Sequence, residues 1–388
     1  MTRFLIQGLK VYTETKVLKQ GGVLIEDGKI QEIFTHDQLQ KFCEKNTYHF
    51  PANHHLVPGF IDLHIHGANG SDVMDNSIDA LQNICINLPK EGTTSFLATT
   101  LSQPKAKIEE VLQTIRRASD LKGAEILGVH LEGPFLSFEK PGAHEPSYFL
   151  DPDIILFNKW QTLSGDKIKI VTVAPEKKNG IEFIQYLKKK NVTASIGHSY
   201  ASYEKAIEAI EAGSTYATHL FNAMTPIHQR NPGCSIACLL HNHISAEIIA
   251  DGVHLHGAMI HLTYQVKGPD LVLLVTDAMR AKCMPEGEYT LGDKAVIVNK
   301  EMAALKDGTI AGSILKMDQA FRNVYKYLNC PIEHMIKMCS TNPAKIARVF
   351  DRKGSITKGK EADLVILNEN LEPILTLCKG EAIFEKAT

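Results

Sequence analysis

The 388-residue sequence has no long apolar segment and almost no net charge. It contains no run of about 18 apolar residues, so no transmembrane helix is expected. The apolar stretch near the N-terminus is too short for a signal peptide. A formal net charge of −2 gives no electrostatic reason to bind nucleic acid or an acidic membrane. The partner that remains to be considered is a small molecule.

The sequence also lacks cysteines in pairs and a dinucleotide-binding motif. Its eight cysteines are scattered, and in a chain of this length they do not make a disulfide framework. Cys234 and Cys238 lie four residues apart but have no second pair at zinc-finger spacing. No Gly-x-Gly-x-x-Gly follows the first predicted barrel strand. We therefore expect free thiols and a cytoplasmic protein without a dinucleotide.

The middle of the chain alternates short apolar strands with helical stretches, which is typical of a parallel α/β architecture. Eight strand candidates predict a (β/α)₈ barrel of the TIM type, and a doubly wound open sheet is the alternative. The carboxyl ends of barrel strands meet at one rim, where active sites of this fold lie. The predicted strands are 60–66, 93–100, 125–132, 168–174, 192–197, 216–221, 245–251 and 271–276.

Both ends of the chain contain short strand-like segments and tight turns instead. Asp27-Gly28 is a hairpin signal between two of these segments. Neither end has enough strands for a stable sheet alone. We expect residues 1–53 and 353–388 to combine into one small β-sandwich domain, and residues 54–352 to form the barrel domain.

The first predicted barrel strand carries two histidines, His64 and His66. Side chains two apart in a strand share one face, so both imidazoles project the same way, about 7 Å apart along the chain. Such a pair suits a transition metal. A lone His-x-His is weak evidence, and its value depends on the other strand ends.

Six of the eight predicted strands end in histidine, glutamate or aspartate. Burying so many ionisable groups without partners is costly, and a shared metal would compensate that cost. Taken singly, each residue has an ordinary interpretation, such as a turn glutamate or a hydrogen-bonded core histidine. The residues concerned are His64, His66, Glu132, His198, His219, Asp251, His254 and Asp277.

Two further residues stay ambiguous on this reasoning. His130 shares a strand face with Glu132 and either supports the site or is structural. Arg230 lies in a loop after predicted strand six, where it is either solvated or binds an anion.

With these residues collected, the sequence resembles the N-acetylglucosamine-6-phosphate deacetylases of the amidohydrolase superfamily over nearly its whole length. His-x-His is shared with many amidohydrolases. His-Leu-Glu-Gly-Pro-Phe at 130–135 and His-Leu-Phe-Asn-Ala-Met at 219–224 are much more specific to the deacetylases. The resemblance implies a (β/α)₈ barrel with a small β-sandwich, and a homodimer.

The resemblance also implies roles for individual residues. Glu132, His198 and His219 match metal ligands, and with both His64 and His66 present the resemblance implies one or two divalent ions per subunit, with zinc or iron as candidates. Asp277 matches the catalytic acid/base. The implied substrate contacts are His144 and His254 near the amide, Asn222, Ala223 and Arg230 at the phosphate end, and Ala143, Asp251, Ile310, Ala311 and Gly312 elsewhere.

The implied reaction is metal-dependent hydrolysis of the acetamide of N-acetylglucosamine 6-phosphate to glucosamine 6-phosphate and acetate. It belongs to amino-sugar catabolism and cell-wall sugar recycling. A catalytic metal lowers the pKa of water from about 15.7 to about 7, which makes hydroxide available at neutral pH.

Three alternatives stay open. Another amidohydrolase, acting on a cyclic amide or N-acyl substrate, is weakened because the end of strand four, residues 170–176, contains no lysine that could be carboxylated between two metals. A non-catalytic sugar-phosphate sensor would not need Asp277. A purely structural barrel leaves the polar strand ends unexplained.

Overall fold

Eight parallel strands form the central sheet of the computed structural model, which describes residues 3–387. The strands pair in chain order, so each βα unit adds one strand beside the last. The predicted (β/α)₈ barrel is confirmed. Barrel strands one to eight are Phe60–Ile65, Thr93–Thr99, Glu125–Glu132, Ile168–Val173, Thr193–Ile196, Tyr216–Ala217, Ser245–Ile249 and Val272–Val275.

Strands one and eight meet at the carboxyl rim and close the barrel. The Asp277 main-chain N–H donates to the His64 carbonyl at 2.8 Å. Below them, the Thr276 hydroxyl donates to the fully buried carboxylate of Asp62 at 2.5 Å. Closure therefore places His64 and Asp277, which are far apart in sequence, next to each other.

Amphipathic helices surround the barrel. In the helix Lys105–Arg117, Ile108, Val111, Leu112 and Ile115 are buried at helical spacing, while the basic residues of its last turn face outward. A π-helical turn, Lys337–Thr341, interrupts the last helical segment. The other α-helices are His36–Leu39, Ile78–Asn87, Ile154–Ser164, Gly180–Lys189, Tyr203–Ala212, Gly233–Leu240, Gly257–Lys267, Met317–Leu328, Ile332–Ile336 and Asn342–Ile346.

Strands from both ends of the chain form a second sheet with its own buried apolar core. His55–Pro58 joins the two ends, because it pairs in parallel with Arg3–Tyr12 and antiparallel with Leu364–Leu367. The sheet therefore continues past residue 53, and barrel strand one follows it directly. Its remaining strands are Val17–Glu26, Lys29–Phe34, Thr47–His49, Pro373–Cys378 and Glu381–Glu385.

Two local features differ from the sequence-based expectation. Strand six is predicted over 216–221 but ends at Ala217, because His219 and Phe221 adopt positive φ and turn the chain inward. A small antiparallel sheet of Gly287–Leu291, Lys294–Val298 and Ala303–Ala304 follows strand eight and was not predicted.

Within residues 3–387, no helix has the length and apolar character needed to cross a membrane. All eight cysteines are free.

A cluster of charges connects the amino end of barrel strand three to the C-terminal segment. Arg352 donates to Glu125 at 2.6 Å and to Glu361 at 3.0 Å, and Lys353 lies 3.0 Å from the second oxygen of Glu125. Burial alone would raise the pKa of Glu125, but Arg352 and Lys353 lower it to about 2. Because the folded pKa lies below the unfolded value, Glu125 stabilises the fold at neutral pH.

Glu125→Gln should therefore lower the free energy of unfolding by on the order of 3 kcal/mol at pH 7. The stabilisation is complete above the unfolded pKa of about 4.3 and is lost as the pH falls toward 2. Urea unfolding of both proteins at pH 7 and pH 3 measures this, and the difference should shrink by about half at pH 3. A difference that does not change with pH would contradict the assignment.

Candidate metal centre and active site

The carboxylate of Glu132, at the end of barrel strand three, lies at the centre of a cluster of imidazoles. It is 2% exposed. Its Oε2 lies 3.2 Å from His64 Nε2, 3.1 Å from His66 Nε2 and 3.5 Å from His144 Nε2. His64 and His66 project from strand one to this one point, as the alternation of side chains in a strand requires.

The other oxygen of Glu132 faces a second pair of imidazoles. His198 Nε2 lies 3.3 Å and His219 Nε2 3.2 Å from Oε1. These two ring nitrogens are 3.1 Å apart. Glu132 thus lies between donors from strand one on one side and donors that follow strands five and six on the other.

Asp277, which follows strand eight, lies beside His64 and His66. Its Oδ1 lies 3.4 Å from His64 Nε2 and 3.3 Å from His66 Nε2. Asp277, His198 and His219 all have positive φ, between 30° and 47°. Such backbone conformations are costly for residues with a Cβ and cluster at functional sites. Here they turn each side chain across the rim immediately after its strand.

The donor set fits a divalent cation. Imidazole and carboxylate are ligands of zinc and iron, and His64 Nε2 is fully buried without a hydrogen bond to any described residue. Burial would lower the pKa of His66, but Asp277 and Glu132 raise it to about 9. The site therefore stabilises positive charge, which a cation would supply.

His144 is held as a neutral hydrogen-bond donor. The Ser102 main-chain N–H donates to His144 Nδ1 at 3.2 Å, so the proton of the neutral ring lies on Nε2, which points at Glu132. Burial lowers the pKa of His144 to about 4 and keeps the ring uncharged at neutral pH.

Both ring nitrogens of His130 lie against groups other than the Glu132 carboxylate. Its Nδ1 lies 3.1 Å from the Leu63 carbonyl and its Nε2 lies 2.8 Å from the Thr172 hydroxyl. Burial, followed by the charge of His64, lowers the pKa of His130 to about 4. The ring packs against His64, with centroids 4.7 Å apart. Its contacts are those of a residue that supports the site from behind.

A cavity of about 420 Å³ opens over these groups at the rim of the barrel. Most sequence-predicted site residues line it, but His64, Arg230, Asp251 and Ala311 do not. His64 and Ala311 are buried behind the wall, and Arg230 is exposed in its loop. The predicted residues in the lining are His66, Glu132, Ala143, His144, His198, His219, Asn222, Ala223, His254, Asp277, Ile310 and Gly312.

Two predicted substrate contacts, His254 and Gly312, are positioned by neighbouring residues. Asp251 Oδ2 lies 2.6 Å from His254 Nδ1, and Asp251 Oδ1 accepts the His254 main-chain N–H at 2.8 Å. Asp251 thus fixes the orientation of His254 without reaching the cavity. A Cβ on Gly312, at φ +61°, would lie 3.0 Å from the Asp277 carbonyl, so glycine lets this loop pack against Asp277.

Sequence reasoning missed two residues of the site. Lys140 is the only lysine or arginine among the described residues that line the cavity. Glu247, in barrel strand seven, is fully buried behind His64. The available signal for Glu247 was a single carboxylate in the otherwise apolar run Ala-Glu-Ile-Ile-Ala at 246–250. Lys140 had no comparable signal, because a loop lysine is usually solvated.

Comparison with known proteins gives consistent matches over most of the chain. The model of the amidohydrolase family matches residues 55–383. An N-acetylglucosamine-6-phosphate deacetylase of Bacillus subtilis is 43% identical, over 98% of this chain and 97% of its own. An N-acetylgalactosamine-6-phosphate deacetylase of Escherichia coli O157:H7 is 35% identical, over 81% and 84%.

Among solved structures, an N-acetyl-D-glucosamine-6-phosphate deacetylase mutant of Mycobacterium smegmatis, in complex with N-acetyl-D-glucosamine-6-phosphate, superimposes with a TM-score of 0.93 at 29% identity. The match covers 99% of this chain and 100% of that one.

Proposed function

The chain belongs to the amidohydrolase family, and from this premise we propose that it hydrolyses the acetamide of N-acetylglucosamine 6-phosphate to glucosamine 6-phosphate and acetate. It is a metal-dependent carbon–nitrogen hydrolase of amino-sugar catabolism. The observation that carries this function is the convergence of five imidazoles on Glu132 beneath one cavity, with Asp277 beside two of them.

We assign the metal to the donors on both sides of Glu132. His64 and His66 lie beside one oxygen, while His198 and His219 lie beside the other. Two donor groups sharing one carboxylate support two divalent ions per chain, and the imidazole and carboxylate ligands favour zinc or iron. When bound, such an ion polarises a carbonyl and lowers the pKa of water from about 15.7 to about 7.

Asp277 and His144 move and hold protons around the amide. Burial would raise the pKa of Asp277, but His64 and His66 lower it, so its carboxylate is ionised and accepts the proton of the attacking water. The same carboxyl group then delivers that proton to the leaving nitrogen. His144 donates its Nε2–H to the carbonyl oxygen, where negative charge develops.

The remaining cavity residues orient the sugar phosphate. His254, held by Asp251, lies in the wall near the amide end. Ala143, Ile310 and Gly312 enclose the sugar, with Ala311 supporting them from behind. Asn222 and Ala223 mark the phosphate end. The cations for the phosphate are Lys140 in the wall and Arg230 in the adjoining loop.

The direct test is an acetate-release assay on the purified protein. With N-acetylglucosamine 6-phosphate we expect one acetate and one glucosamine 6-phosphate per turnover. Activity should disappear after chelation and return with zinc. The 6-phosphate of N-acetylgalactosamine and a cyclic amide serve as competing substrates. Absence of acetate release by the metal-loaded protein would contradict the proposal, and faster turnover of the cyclic amide would favour the alternative reaction.

Removing the positive charge of either Lys140 or Arg230 should weaken binding of the substrate's phosphate group specifically. Lys140→Met and Arg230→Ala should each raise KM for the phosphorylated sugar by about 10-fold, because a hydrogen bond to a charged group contributes roughly 1.5–3 kcal/mol. KM for unphosphorylated N-acetylglucosamine should change little. Steady-state kinetics with both sugars measure this. Equal changes for the two sugars would exclude a phosphate contact at that residue.

We further propose that the protein acts in the cytoplasm as a homodimer. The scattered free thiols suit a reducing compartment. Light scattering of the purified protein tests the dimer, since a mass near 43.0 kDa would indicate a monomer. Cell fractionation tests the location.

A further inference from the structure

Glu247 is a fully buried carboxylate in the middle of barrel strand seven. Its strand neighbours Ala246, Ile248 and Ile249 are apolar and buried. Burying a carboxylate costs several kcal/mol unless specific interactions compensate, and an apolar side chain of similar size would often be more stable. Packing of the barrel therefore does not explain Glu247.

The contacts of Glu247 point to the metal donors. Its Oε2 accepts the His64 Nδ1–H at 3.0 Å and the main-chain N–H of His219 at 2.9 Å. One carboxylate oxygen thus connects a donor of strand one with a donor that follows strand six. Its other oxygen, Oε1, has no hydrogen-bond partner within residues 3–387.

The bond to His64 determines which ring nitrogen carries the proton. An ionised carboxylate only accepts hydrogen bonds, so the proton lies on Nδ1. Nε2 then presents its lone pair to the space beside Glu132 Oε2 and Asp277 Oδ1, which lie 3.2 and 3.4 Å away. This is the tautomer that a histidine needs to ligate a metal through Nε2.

Of the four histidines assigned to the metal, His64 alone is oriented by a carboxylate in the described part of the chain. His198 Nδ1 faces the Lys140 carbonyl at 2.9 Å. The Nδ1 atoms of His66 and His219 have no hydrogen-bond partner among the described residues. The support of the donor set is therefore uneven, and Glu247 supports the side of His64 and His66.

We propose that Glu247 is a positioning residue that fixes the tautomer and orientation of His64, and through it the affinity for an ion beside His64 and His66. The inference rests on the proposed function for the existence of that ion. Glu247 does not line the cavity.

Two variants of the full-length protein test this role. Glu247→Leu removes both hydrogen bonds, whereas Glu247→Gln keeps an oxygen that accepts them and removes only the charge. Zinc per chain is counted by mass spectrometry, and the dissociation constants come from competition with a chelator of known affinity. Loss of such a supporting partner typically weakens metal binding 10–100-fold. We expect about 100-fold weaker binding of one ion in Glu247→Leu, and about 10-fold in Glu247→Gln.

Glu91→Gln is the matched control. Glu91 is also a buried carboxylate, but its partner is the Lys282 ammonium group at 2.5 Å. This variant should lose thermal stability while its zinc affinities stay at the wild-type values. If Glu247→Leu does not fold, the comparison of zinc affinities between Glu247→Gln and Glu91→Gln tests the proposal.

Zinc affinities within twofold of wild type in Glu247→Gln, and in Glu247→Leu if it folds, would overturn the proposal. So would equal losses in Glu247→Gln and Glu91→Gln. These measurements do not depend on turnover. A wild-type protein that binds zinc but releases no acetate would refute the proposed reaction and leave the role of Glu247 to be decided by the affinities alone.

Discussion

Asp277→Asn should retain bound metal and lose kcat by roughly 10³-fold, since a positioned general acid/base contributes about 10²–10⁴-fold. Asparagine has nearly the same shape and keeps one oxygen toward His64 and His66, but it cannot take a proton from water. KM should change much less than kcat, because the cavity wall is intact. Single-substrate kinetics together with metal analysis of the same preparation measure both effects.

Asp318→Asn is a suitable control for that experiment. Asp318 is a largely buried aspartate, 2.7 Å from Arg322 in the helix Met317–Leu328, and it does not line the cavity. Its loss should affect stability and leave kcat unchanged. Near-normal turnover by Asp277→Asn would remove Asp277 from proton transfer. If Asp277→Asn lost metal and activity together, the main role of Asp277 would be to bind the metal and not to transfer a proton.

The convergence of the site follows from the fold and was accessible from the sequence. Alternating strands and helices predict a closed parallel sheet, and the ends of parallel strands meet at one rim. His64, Glu132 and Asp277 each stand at such an end, so residues 213 positions apart, from 64 to 277, were expected together. In the structure, carboxylate oxygens of Glu132 and Asp277 lie 3.2 and 3.4 Å from His64 Nε2.

Other features depend on tertiary contacts that leave little trace in local sequence. Strand six has the apolar texture of a longer strand, yet the turn at His219 ends it early. Arg230 lies in a loop, whose conformation cannot be predicted from the spacing of apolar residues. Lys140 lines the cavity from another loop. The role of Glu247 left no local signal beyond one carboxylate in an apolar strand, because its partner His64 lies 183 residues away in the sequence.

Glu132→Gln should have the largest effect on the metal. The single carboxylate lies between both donor groups, with Oε1 facing His198 and His219 and Oε2 facing His64 and His66. Burial would raise the pKa of Glu132, but the surrounding imidazoles hold it well below its usual range, so the group is ionised. An amide carries no charge, and its nitrogen cannot ligate a cation well. We expect metal content near zero and kcat/KM lower by at least about 10⁴-fold, since the metal-dependent shift in the pKa of water is lost.

His66→Gln tests whether the metal donors form two sites that share Glu132 or one single site. His66 faces only Oε2 of Glu132, so its loss should weaken the ion beside His64 and leave the donors around Oε1 intact. Zinc counted per chain should then fall by one ion in His66→Gln and by all ions in Glu132→Gln. Equal losses in the two variants would mean that the donors form one site and not two. Full zinc content in Glu132→Gln would mean that the imidazoles alone hold the metal, and the central role of this carboxylate would be wrong.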